Sequence, residues 1–105
     1  MAMLHTSTLT ISVGRNVADV PMSDALWLEF RCAIDTALER IGATLHFYGE
    51  GEGYYLGAIE TSYTWIASVN SAHIWLVRRE LAPICAQFSQ DCIALTVGNT
   101  EFVGG

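Results

Sequence analysis

Residues 5–14 read His-Thr-Ser-Thr-Leu-Thr-Ile-Ser-Val-Gly, and no other stretch restricts the fold of this 105-residue chain as tightly. Leu9, Ile11 and Val13 alternate with Thr8, Thr10 and Ser12. A period of two is the signature of an extended strand and is incompatible with a helix. The chain must therefore build a sheet with one apolar face and one face of hydroxyls. Gly14 marks the end of the strand.

The remaining elements are read from similar local signals. Ser23 stands as an N-cap with Asp24 in the first turn, where a helix favours negative charge. Leu26, Trp27, Phe30, Ala33, Ile34, Ala37, Leu38 and Ile41 then keep helical spacing, and Gly42 is a natural stop. Residues 43–48 are expected to form a second strand, with Leu45 and Phe47 on the apolar side and Thr44, His46 and Tyr48 opposite. The run Gly49-Glu50-Gly51-Glu52-Gly53 is expected to turn the hairpin, because glycine accepts positive backbone angles. A third strand is expected over 58–69, with Tyr63, Trp65, Ala67 and Val69 on the apolar side.

Asn70 or Ser71 should cap a second helix over about 72–88. Its apolar stripe is Ile74, Val77, Leu81, Ile84 and Phe88, and Pro83 predicts a kink or break near residue 82. Residues 92–98 form the last strand. The order strand, helix, strand, strand, helix, strand predicts an α+β ferredoxin-like plait, a four-stranded antiparallel sheet with both helices on one face. Residues 1–105 read as a single domain of this kind.

Charge narrows the partners. Eleven acids against five arginines, with no lysine, give a net charge of −6. Such a chain repels a phosphate backbone, so no nucleic-acid partner is expected. No apolar run has the length of a bilayer span and the first residues lack a secretory pattern. We therefore expect no membrane partner and a cytoplasmic location. Cys32, Cys85 and Cys92 lack metal-ligand spacing and read as free thiols. His5, His46 and His73 fall on three separate elements, so no metal and no cofactor are expected.

The face opposite the apolar one comprises Thr8, Thr10, Ser12, Thr44, His46, Tyr48, Glu60, Ser62, Thr64, Ile66, Ser68, Cys92, Ala94 and Thr96. Glu60 is its single formal charge. A face so poor in charge suits burial against a second subunit or a ligand, the alternative being a solvated threonine-rich sheet. Arg15 and Asn16 come directly after the first strand. An arginine there can hold an anionic group, or it can simply pair with Asp19 or Asp24. Tyr54 and Tyr55 can fold over the sheet edge as an aromatic flap. The expected ligand-binding set is Arg15, Asn16, His46, Tyr48, Tyr54, Tyr55 and Glu60. The glycine run is neither a Walker motif nor a dinucleotide fingerprint, since no lysine and no helix come after it.

Three segments together resemble a bacterial domain-of-unknown-function family of ferredoxin-like proteins, also seen in actinobacteria and their phages. They are Ser-Asp-x-x-Trp-x-x-Phe at 23–30, the glycine hairpin with Glu60-x-Ser62, and Phe88-x-Gln90-x-x-Ile93. The family's tryptophan before the hairpin is replaced by the Tyr54–Tyr55 pair. This resemblance implies the plait and a phage-type accessory role, in the host cytoplasm if phage-encoded. The expected function is a non-enzymatic homodimer, or higher homo-oligomer, binding a small polar or nucleotide-like ligand and sequestering a nucleotide-derived defence signal. A second resemblance is to dimeric α+β barrel monooxygenases without a resident cofactor, which implies Asn16, Trp65 and His73 as an alternative catalytic set. A third reading is an inhibitor or adaptor that binds another protein through the acidic, aromatic hairpin.

Overall fold

The computed structural model describes residues 5–104. Strand β1 spans Thr6–Gly14, and a short ribbon of β2 (Asn16–Val17) and β3 (Val20–Pro21) comes after it. Helix α1 covers Asp24–Arg40, β4 Thr44–Tyr55 and β5 Ala58–Asn70. A single 3-10 turn at Ser71–His73 leads into α2, Ile74–Gln87, and β6 closes the order at Ala94–Gly98. The main sheet is antiparallel in the order β4-β5-β1-β6, the order of a ferredoxin-like plait.

Local chemistry accounts for the helix ends. The Ser23 hydroxyl accepts from the Leu26 amide at 3.2 Å and opens α1. At the other end Gly42 takes a φ of +73°, and the Ala43 amide reaches back to the Leu38 carbonyl at 3.0 Å. Asn70 caps the second helical segment through the Ala72 amide at 2.9 Å. The break expected near residue 82 is absent, and α2 runs unbroken through Pro83. Proline costs one backbone bond there, while Leu81 and Ile84 stay buried on either side of it and hold the helix against the sheet.

Both helices lie on the apolar side of β1. Leu9, Ile11, Val13, Trp65, Ala67 and Val69 join Trp27, Phe30, Ile34, Leu38, Val77, Leu81 and Phe88 in one buried cluster. Phe30 stacks on Phe88 at 4.8 Å and ties α1 to the end of α2. The Trp65 indole donates to Asp35 at 2.7 Å and the Trp27 indole to Glu50 at 2.8 Å, so neither large ring leaves its N–H unpaired. Arg31 lies over the rings of Trp27 and Tyr63, 5.8 and 4.8 Å from their centroids.

Strand β4 departs from the expected reading in two ways. First, the glycine run is not the turn. Gly49, Gly51 and Gly53 stand inside the strand, opposite Thr64, Ser62 and Glu60. The hairpin turns instead at Leu56-Gly57, whose φ values of +51° and +81° define a two-residue turn of the type that suits twisted strands. Period-two glycine satisfies a strand as well as a loop, and here it leaves a bare track along one face. Second, a bulge lies between Leu45 and Phe47. One extra residue reverses every later side chain. Phe47 therefore pairs with Ile66 on the open face, and Tyr48 pairs with Trp65 on the helix side, the opposite of the alternation expected for both.

Candidate functional site

A cleft of about 540 Å³ opens where β1 ends, β5 begins and the loop entering β6 passes. Its volume falls in the range of small-molecule sites, roughly 300–1,000 Å³. The antiparallel order forces these segments together. The Gly14 end of β1 is level with Ser62 on β5, and Ser12 is level with Ala94 on β6.

Glu60 is the anchored group of this cleft. Its carboxylate accepts from the Asn16 backbone amide at 3.1 Å. It lies directly over Gly14, where a Cβ would collide with the carboxylate itself. Glycine at 14 is thus what lets Glu60 lie flat across the strand end. Gly53 plays the same part for Ser62, whose hydroxyl would sit 2.5 Å from an added Cβ. The Asn16 carbonyl accepts from the Gln90 side-chain amide at 3.4 Å, so one residue links the strand end to the loop before β6.

Cys92, with smaller contributions from burial, Asp91 and Glu60, raises the Tyr55 phenol above its ordinary range. Burial likewise raises the Cys85 thiol beneath the same loop. Asp19, Glu52, Glu60 and Asp91 all line the cleft, and no lysine, arginine or histidine does. Among the described residues, no three His, Cys, Asp or Glu side chains converge closely enough to hold a metal ion.

The structure brings together four of the residues singled out from sequence: Asn16, Tyr54, Tyr55 and Glu60. Arg15 lies elsewhere. It donates to Asp24 at 2.6 Å and to the Met22 carbonyl at 2.9 Å, so of its two possible roles it takes the ion pair. His46 sits at the bulge and contacts the Ser68 hydroxyl at 2.6 Å, roughly 25 Å along β5 from Glu60 at strand rise. Tyr48 is on the helix side, stacked on Tyr63. The alternative set is dispersed. Trp65 is fully buried in the core, Asn16 is at one end of β1, and His73 lies just beyond Asn70 at the other. Sequence reading missed Asp91 as a neighbour of Glu60, and placed Ser62 and Cys92 on the same face as Glu60 without including them in the ligand-binding set. The strand order alone carries that signal, because β6 must start beside the end of β1.

No known protein-family profile matches the chain, and no curated protein matches it. Solved structures do share its fold. A phage SAM lyase in complex with S-methyl-5′-thioadenosine has a TM-score of 0.58 and 19% identity, covering 92% of this chain and 84% of that one. A DUF3240 family protein from Shewanella baltica OS155 has a TM-score of 0.60 at 12% identity, covering 97% and 98%. The C-terminal domain of MgtC from Mycobacterium tuberculosis also reaches 0.60, at 13% identity over 90% and 88%. At such identities the likeness is one of fold. Among the described residues, no helix is long and apolar enough to cross a membrane.

Proposed function

We propose that this protein is a homo-oligomeric, phage-type small-molecule binder whose cleft takes a cationic nucleoside derivative of the S-adenosylmethionine class. The observation that carries this reading is the composition of the cleft. A fixed carboxylate, three further acids and two tyrosines line it, and no cation does. Phosphorylated nucleotides would meet repulsion on every side, whereas a sulfonium would find a counter-charge. Glu60 can instead accept from ribose hydroxyls, and Tyr54 and Tyr55 offer faces for a purine ring. The nucleotide-derived ligand expected from sequence keeps its nucleoside part and loses its phosphate. The phage lyase of the same fold was solved with S-methyl-5′-thioadenosine, the neutral nucleoside thioether part of such a molecule, which supports the nucleoside half of the reading.

Sequestration is the first reading of the outcome of binding; the second is cleavage of S-adenosylmethionine, in which its own carboxylate displaces S-methyl-5′-thioadenosine from the side-chain carbon as the C–S bond breaks and homoserine lactone forms. The name of that same neighbour favours the second. One experiment separates them. Calorimetry with S-adenosylmethionine, S-methyl-5′-thioadenosine and adenosine monophosphate is run beside chromatography of the incubated mixtures. Binding of the first two and not the third is expected, with Glu60→Gln weakening it by about tenfold or more. Binding without new products means sequestration, and wild-type release of the thioether absent in Glu60→Gln means turnover. Silence toward both S-adenosylmethionine and S-methyl-5′-thioadenosine, or preference for the phosphate, overturns the proposal.

A further inference from the structure

The bulge in β4 gives the open face an apolar centre that the alternation of residues does not disclose. Phe47 lies opposite Ile66, which is level with Thr10 and, beyond it, Thr96. Phe47 is 70% exposed. The neighbouring rows are Thr44, Ser68, Thr8 and Gly98 on one side and Gly49, Thr64, Ser12 and Ala94 on the other. None of these rows contains an ionised carboxylate or guanidinium. Four strands about 4.8 Å apart and same-face rows about 6.6 Å apart make a face on the order of 400 Å² in plan. A standard interface of roughly 800 Å² of accessible surface per partner is built on that scale.

Several hydroxyls of this face are already partnered within the chain. Ser12 pairs with Thr64 at 2.9 Å, His46 with Ser68 at 2.6 Å, and Thr8 with Thr100. Covering hydroxyls that have exchanged water for one another carries little of the penalty of burying orphaned ones. The face is thus polar in composition, with part of its hydrogen bonding internal, while Thr10 and Thr96 in the central row keep hydroxyls that a neighbour can partner. On a chain of net charge −6, two copies repel almost everywhere else. An uncharged face is the place where like can meet like.

We propose that a second copy of this chain covers the open face, centred on Phe47 and Ile66, and that its edge roofs the Glu60 cleft. Ser12, Gly14, Ser62, Thr64 and Ala94 belong both to this face and to the cleft wall. A body seated on the face therefore closes the side of the cleft that a single chain leaves open. The second half of the proposal rests on the cleft being a ligand site, and the first half does not.

The test uses the full chain, its Phe47→Asp variant and an Ile66→Lys variant, each measured by light scattering and by calorimetry with S-adenosylmethionine. Wild type is expected at a multiple of 11.5 kDa. Phe47→Asp should fall to the mass of one chain with an unchanged circular dichroism spectrum, since this side chain is solvated in the single chain. Ile66→Lys should do the same, and both variants should bind the ligand more weakly by about tenfold or more. A wild type that stays at the mass of one chain overturns the proposal. So does a Phe47→Asp variant that keeps the wild-type mass. An assembled wild type that binds no S-adenosylmethionine refutes the ligand reading and leaves the interface standing. A single chain that binds the ligand well does the reverse, and ligand-induced hydrogen-exchange protection of β4 and β5 would then assign the ligand as occupant of the face.

Discussion

The two faces of β1 are built from neighbouring residues and have opposite fates. Leu9 and Ile11 are wholly buried beneath α1 and α2, while Thr8, Thr10 and Ser12, one residue away, look out from an uncovered sheet. The covered face binds the domain together through apolar area, about 25 cal/mol for each Å² removed from water. The open face contributes little to the fold of one chain, so its residues are free to specify a ligand site and a neighbour. The lesson is a division of labour: stability lies on one side of a single strand layer and the proposed function on the other.

That division can be broken most directly at Trp65. Trp65→Ala removes the largest fully buried side chain and strips Asp35 of its donor, and should cost about 3–5 kcal/mol in urea unfolding. The open-face change Thr10→Val should stay within about 0.5 kcal/mol for the single chain. Comparable losses at the two sites would erase the contrast. Glu60→Gln sharpens it from the other side. Its unfolding midpoint should hardly move, while affinity for S-adenosylmethionine falls by about 1.5–3 kcal/mol in calorimetry, the worth of a hydrogen bond to a charged group.

Leu56 offers a gain. A leucine at φ +51° carries a left-handed penalty of about 1–2 kcal/mol, which asparagine largely avoids. Leu56→Asn should therefore raise the unfolding free energy by about 1 kcal/mol, and a fall instead would mean that the exposed leucine is held by contacts across the open side. The smallest effect concerns alkaline pH. Burial raises the Tyr63 phenol above 10.0 despite the opposing pull of Arg31. As pH climbs past that value the unfolded chain ionises first, so stability should decline, and Tyr63→Phe should flatten the decline in unfolding curves collected at successive pH values.

How much of this was legible in the chain differs by element. Both helices, the strand over 6–14 and the plait can be read from spacing and caps, because each of those signals is local. The cleft was half legible: Asn16, Tyr54, Tyr55 and Glu60 were found by residue type and Ser62 shares Glu60's strand face, whereas Asp91 and Cys92 join them only through strand order. Arg15 reads in the sequence either as an anion site or as a partner of Asp19 or Asp24, and the fold takes the second, with Asp24 and the Met22 carbonyl occupying its donors. The glycine run reads as a turn because turn and strand both accept alternating glycine, and only the pairing with residues 60–64 decides between them.

By itself the sequence determined a two-faced sheet, the helices that cover one face, and the poverty of charge on the other, since periodicity and capping act between residues close along the chain. The tertiary structure alone decided which way Phe47 and Tyr48 point, where the hairpin turns, and which acids share a cleft. One bulged residue in β4 reverses every side chain beyond it. Strand register is a property of paired chains, and no single strand contains it.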